Sequence, residues 1–150
     1  MSAGTLPGRA RVKADCPACT GAWPREDHRI ADLGLSVVYL HDDQFFVGWT
    51  VLVLKRHATE LFDLSRDERA QLIEEVTDIA RALAAAFDAV KLNYELLGNQ
   101  VPHIHWHLIP RLAGDPAPGG PAWRVDHEPR RLTAAALGER ITLIRSRLAR

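Results

Sequence analysis

Between residues 103 and 107 every second side chain is an imidazole: His103-Ile104-His105-Trp106-His107. In an extended strand successive side chains alternate across the sheet, so the three histidines would share one face while Ile104, Trp106 and Leu108 enter the core from the other. Burying three imidazoles for packing alone would leave each in need of a hydrogen-bond partner, which disfavours a purely structural role. A three-histidine metal site fails on distance, because at a rise of ~3.3 Å per residue the outer α-carbons stand about 13 Å apart. Neighbouring imidazoles on one face, about 6 to 7 Å apart, suit a row of phosphates instead. A neutral histidine, with an ordinary pKa near 6.5, is nucleophilic at pH 7, and a protonated neighbour can donate to a phosphate oxygen or a leaving group. His105, at the centre, would attack through Nε2 if an acceptor such as a backbone carbonyl held its Nδ1–H. Asn99 and Gln100, just upstream, are placed to add donors for the charge at a transferred phosphorus.

The second group with chemistry is Cys16-Pro17-Ala18-Cys19, the only cysteines in the chain. A redox pair of the thioredoxin kind would place a helix straight after it, and Gly21 with Pro24 argues against one. Thiolates at this spacing supply two ligands of a zinc site that His57 and His103 would complete as a Cys₂His₂ set. A buried pair of free thiols is the plain alternative. Attack by histidine needs no metal, so zinc here would be structural, tying the N-terminal segment to the sheet.

The elements that must position these groups are legible in the apolar pattern. Residues 1–15 mix Gly, Ser, Pro and charge without periodicity and read as a flexible arm, leaving 16–150 as one domain. The runs 35–40 and 49–54, rich in β-branched and aromatic residues, read as neighbouring strands, and 91–97 and 103–109 as two more, separated by Gly98-Asn99-Gln100-Val101-Pro102. Ser65 and Glu68 have capping-box spacing ahead of Leu72, Val76, Ile79, Leu83 and Phe87, which predicts one long amphipathic helix covering the sheet. Residues 112–123, loaded with Pro and Gly, read as irregular loop, and Leu132, Leu137, Ile141, Ile144 and Leu148 mark a C-terminal helix. Its arginines, Arg140, Arg145, Arg147 and Arg150, read as a solvated face. Adjacent strands with one inserted and one appended helix predict an α+β fold with an antiparallel sheet.

The chain has 150 residues, 19 acidic and 19 basic, a length for one core and a balance with no pull toward nucleic acid or an anionic membrane. No aromatic ladder accompanies the arginines, and no run is long enough to span a bilayer or act as a signal peptide. A cytoplasmic protein with a small or locally recognised partner is expected.

His103-Ile104-His105-Trp106-His107-Leu108-Ile109 resembles the His-φ-His-φ-His-φ-φ signature of the histidine triad superfamily. The flanks, Gly98-Asn99-Gln100-Val101-Pro102 and Pro110-Arg111, resemble those of a bacterial branch, and the likeness extends over roughly residues 16–123. The resemblance implies a five-stranded antiparallel sheet with one long helix, usually paired into a homodimer with a continuous sheet. It implies cleavage of nucleoside phosphoramidates, dinucleoside polyphosphates or acyl-adenylates, through a nucleotidyl-histidine, to release a nucleoside monophosphate. By position, His105 is then the nucleophile, His103 and His107 flank the phosphate, and His107 helps the leaving group. Gln100 stands where the family places a Ser or Thr donor, a departure that bears on the leaving group. His41 or Asp42 lies where an Asp or Asn holds the ribose, Asp42 being the better acceptor. Trp123 is a candidate leaving-group or dimer contact, with simple packing as the alternative. A purine nucleotide is the expected substrate; a non-catalytic nucleotide-binding regulator and a zinc-dependent hydrolase are the rival functions.

Overall fold

A computed structural model describes residues 14–148, so the expected flexible arm falls almost wholly outside the described residues. The strands β1 (Arg29–Asp32), β2 (Ser36–Leu40), β3 (Thr50–Leu54), β4 (Lys91–Glu95) and β5 (His105–Arg111) form one antiparallel five-stranded sheet in the order β1-β2-β3-β5-β4. β1 has no counterpart among the expected runs: it is four residues long, buries Ile30 alone, and is bulged between Arg29 and Ala31, so alternation has no length in which to show. β5 begins two residues later than its pattern suggests. Opposite its start β3 ends at Leu54, and the backbone of Ile104 bonds instead to Leu54 and Ala58. At the other end, β3 starts at Thr50 opposite Leu108, so Pro110 faces a strand on the β4 side only and its missing N–H breaks no inner ladder.

One face of the sheet presents Tyr39, Val51 and Val53, covered by Ala18 and Trp23 from the N-terminal segment. No helix continues after the cysteine pair, as the reading of Gly21 and Pro24 expects: α1 (Pro17–Thr20) is a single turn across it, started by Pro17 and closed by Gly21 at φ 78°. One turn is all that those residues permit. The opposite face carries Val38, Leu40, Leu52, Leu54 and Leu108 into the main core, where they meet Leu72, Val76, Ile79 and Leu83 of α2 (Arg66–Phe87). Ser65 Oγ accepts from the Glu68 N–H at 3.1 Å, and the Glu68 carboxylate accepts from the Ser65 N–H at 2.7 Å, so the expected capping box forms.

α3 (Ala134–Leu148) adds Ile141 and Ile144 to this core. Its arginines are not all solvated, which corrects the reading of that face. Arg140 donates to Gln44 Oε1 at 3.0 Å, and Arg145 donates to the carbonyls of Ile30 (2.7 Å) and Arg29 (3.0 Å). The second pair blunts the outer edge of β1. The Pro- and Gly-rich segment after β5 is irregular as expected, and it is anchored by Arg111. That guanidinium binds both Asp115 oxygens (2.6 and 2.7 Å) and the carbonyls of Ala117 and Gly120, with both charged side chains about 5% exposed or less.

Candidate active site

The register of β5 decides which histidines work together. Val53 pairs with His105 and Val51 with His107, so both imidazoles stand on the sheet face that the N-terminal segment covers. Their ring centroids are 5.2 Å apart. Ile104, Trp106 and Leu108 pack into or against the main core, as alternation requires. His103 lies just before the strand, and its ring turns away into the cysteine pair.

Hydrogen bonds hold the two facing imidazoles in opposite tautomers. The His105 Nδ1–H donates to the main-chain carbonyl of His103 at 2.6 Å, which leaves Nε2 with a lone pair. The indole N–H of Trp49 donates to His107 Nδ1 at 3.0 Å, so a neutral His107 carries its proton on Nε2. Burial pushes the His105 pKa below its ordinary value, and burial together with the neighbouring His105 and His41 takes His107 down to about 4. Both rings are therefore neutral at pH 7. A nucleophilic nitrogen thus stands beside a neutral N–H donor, where a protonated neighbour is the sequence-based expectation.

These rings line a cavity of about 430 Å³ together with Trp23, His41, Trp49 and Glu95, and the loop residues Asn99 and Gln100 close it on one side with Trp123. A larger cavity of about 680 Å³ runs along β4 and shares Glu95, but no histidine lines it, so the smaller one is the candidate site. Of the two ribose candidates, His41 lines the cavity, stacked on Trp49 at 4.0 Å, and its Nδ1 accepts from the Asp43 N–H at 3.1 Å. Asp42 is not in the lining; its carboxylate lies 3.6 Å from His28 Nδ1. Asp43 holds the loop below, accepting from His127 Nε2 (2.6 Å) and from the N–H groups of Phe45 and Arg130 (2.9 Å each).

Trp23, Trp49 and Glu95 were absent from the sequence-based site. Trp23 lies edge-on to His105 at 4.9 Å, carried there by the segment that holds the cysteines. No local pattern marks any of the three; each depends on which strands become neighbours.

Cys16, Cys19, His57 and His103 bring their ligand atoms within 4.8 Å of one another. Cys16 Sγ is 3.4 Å and Cys19 Sγ 3.6 Å from His103 Nδ1, while His57 Nδ1 lies 3.3 Å from both Cys19 Sγ and His103 Nδ1. Around a tetrahedral zinc with ordinary bond lengths, two nitrogens stand about 3.3 Å apart and nitrogen and sulfur about 3.6 Å. The donor set fits that ion. His103 Nε2–H donates to the Leu54 carbonyl at 2.6 Å, the outer hydrogen bond that leaves Nδ1 free as a ligand. His103 thus meets the cavity through its carbonyl under His105, not through its ring.

Comparison with known proteins gives one consistent likeness. The family model described as the HIT domain matches residues 25–114. An adenosine 5′-monophosphoramidase of Schizosaccharomyces pombe is 24% identical over 101 residues, covering 67% of this chain and 69% of that protein. A histidine triad protein from Bradyrhizobium japonicum has a TM-score of 0.73 at 36% identity, covering 80% of this chain and 89% of that one. A Zn-bound histidine triad family protein from Mycobacterium smegmatis has a TM-score of 0.67 at 25% identity, covering 92% and 96%.

Proposed function

The chain belongs to the HIT-domain family, and from that premise we propose that it cleaves nucleotides at the α-phosphate through a covalent nucleotidyl-His105. The observation that carries this reading is the pair of opposite tautomers at one cavity wall, a free Nε2 on His105 beside an Nε2–H on His107. In the first step the His105 lone pair forms a bond to phosphorus while the bond to the leaving group breaks, its electron pair departing with the nitrogen or oxygen of that group, an amine nitrogen having first taken a proton from solvent. The His107 N–H donates to a phosphate oxygen, and the amides of Asn99 and Gln100 supply further donors from the loop. Water or another acceptor then attacks phosphorus, loses its proton to solvent and releases the nucleoside monophosphate, restoring neutral His105. Phosphoramidates and dinucleoside polyphosphates of a purine nucleoside are the proposed substrates, and the likeness to a phosphoramidase supports that class.

Zinc held by Cys16, Cys19, His57 and His103 is part of this reading, supported by the ligand spacing and by the Zn-bound relative. Its contribution would be a cross-link, with no part in bond cleavage. A homodimer through β4 also follows: β1 is capped by Arg145, while the outer edge of β4 is open and flanked by Val90, Tyr94 and Leu97, each about half exposed or more. Cysteines outside any disulfide fit a reducing, cytoplasmic compartment, and no helix among the described residues is long and apolar enough to cross a membrane.

Incubation of wild type and His105→Ala with adenosine phosphoramidate, following AMP by chromatography, tests the reaction. AMP from wild type alone is the expected result. Binding without release would replace the enzyme with a nucleotide-binding regulator.

A further inference from the structure

β4 brings one carboxylate to the histidines. Glu95 pairs directly opposite His107 in the antiparallel register, so the two side chains share a face, with Val51 as the other cross-strand neighbour of His107. Glu95 lines both the histidine cavity and the larger one beside it. It is half-buried, and no hydrogen-bond donor among the described residues engages its side chain. Arg111, the cation nearest in charge effect, spends its N–H groups on Asp115, Asn93 and two carbonyls. A carboxylate without a protein donor at a cavity wall has its acceptor capacity directed at whatever enters.

We propose, resting on the reaction above, that Glu95 sets the charge of the leaving group: it favours an amine leaving from phosphorus and disfavours a polyphosphate. The nucleophile and the leaving group lie on opposite sides of phosphorus, and His107 stands beside His105 along the strand and directly opposite Glu95 of β4. A group departing past His107 therefore passes Glu95. The nitrogen of a phosphoramidate, protonated from solvent before it departs, carries positive charge and N–H donors while it is still bonded to phosphorus, and the carboxylate accepts from them. A departing nucleoside polyphosphate brings several negative charges to the same wall, and in a half-buried site that repulsion is screened less than at an open surface. Burial raises the Glu95 pKa above the usual carboxylate range, with Arg111 opposing, so the preference should strengthen as pH rises.

The test compares kcat/KM for adenosine phosphoramidate and for diadenosine tetraphosphate in wild type, Glu95→Gln and Glu95→Lys, at one ionic strength and pH 7.5. Gln keeps size and hydrogen bonding but removes charge, and Lys reverses it. The expected result is a shift of the ratio toward the polyphosphate by roughly tenfold in Glu95→Gln, the change expected from about one charge interaction, and further in Glu95→Lys. The shift should shrink as salt is raised. A ratio equal in all three proteins, with AMP still released, overturns the role of Glu95 while leaving the reaction standing. No AMP from either substrate with wild type, or undiminished AMP with His105→Ala, removes the reaction and this proposal with it.

Discussion

At the residue scale the chemistry rests on which nitrogen of each imidazole carries the proton. His103 O fixes His105 and Trp49 Nε1 fixes His107, so a change at Trp49 acts on catalysis without touching the nucleophile. Trp49→Phe keeps a ring against His41 but removes the donor, and kcat should fall by about a hundredfold, the lower end of what a positioned proton donor contributes. ¹⁵N chemical shifts of His107 would report loss of the single tautomer; unchanged shifts would contradict this role for Trp49. The same burial makes a statement about pH. Protonating His105 removes its lone pair, and its pKa is held below 6.5, so kcat/KM should fall on the acid side with a midpoint below 6.5. Stability follows the same sign. Unfolded His107 takes up a proton near pH 6.5 and the folded residue only near 4, so the unfolded state binds more protons in between. Denaturation midpoints should therefore drop as pH falls from about 6.5 toward 4, and a flat profile would contradict the burial argument. His105 and His107 were legible in the alternation alone. Trp49 was not, because its contact is made across strands 58 residues apart in sequence.

At the element scale, the turn before β3 sets where Trp49 falls. Gly48 takes φ 87°, and a Cβ there would lie 2.5 Å from the Phe87 ring at the end of α2. Gly48→Ala combines left-handed strain with a clash, and should destabilise by more than about 1 kcal/mol; a chemical-denaturation midpoint equal to wild type would refute the packing described. The long helix, its capping box and four of the strands could be read from periodicity because each is long enough to show its period. β1 and α1 could not, at four residues each, and they are held by contacts from elsewhere: Arg145 for β1 and the cysteine segment's seat on the sheet for α1. The arginines of α3 show the same limit. Charge on a helix face reads as solvated until the fold places Gln44 or a strand edge against it.

At the scale of the whole molecule, one short segment ties the Cys₂His₂ cluster to the sheet face that carries His105 and His107. Cys16 and Cys19 sit at its start and Trp23, edge-on to His105, a few residues later, while His103 contributes its ring to the cysteines and its carbonyl to the nucleophile. Chelation should release zinc with a stoichiometry of about one per chain and lower the melting temperature, and Cys16→Ser should do the same; metal-free protein that melts unchanged would end the zinc assignment. The spacing of the cysteines announced a pair, but only folding over more than 80 residues brings the His103 ring against it and away from the histidine cavity. The covalent step on His105 is open to direct detection by rapid acid-free quenching of wild type with adenosine phosphoramidate, followed by intact and peptide mass spectrometry. The expected result is a transient adenylyl group on the peptide carrying His105, lost on longer incubation and absent from His105→Ala. Turnover by wild type with no adduct at any time, or an adduct that persists in His105→Ala, would contradict it.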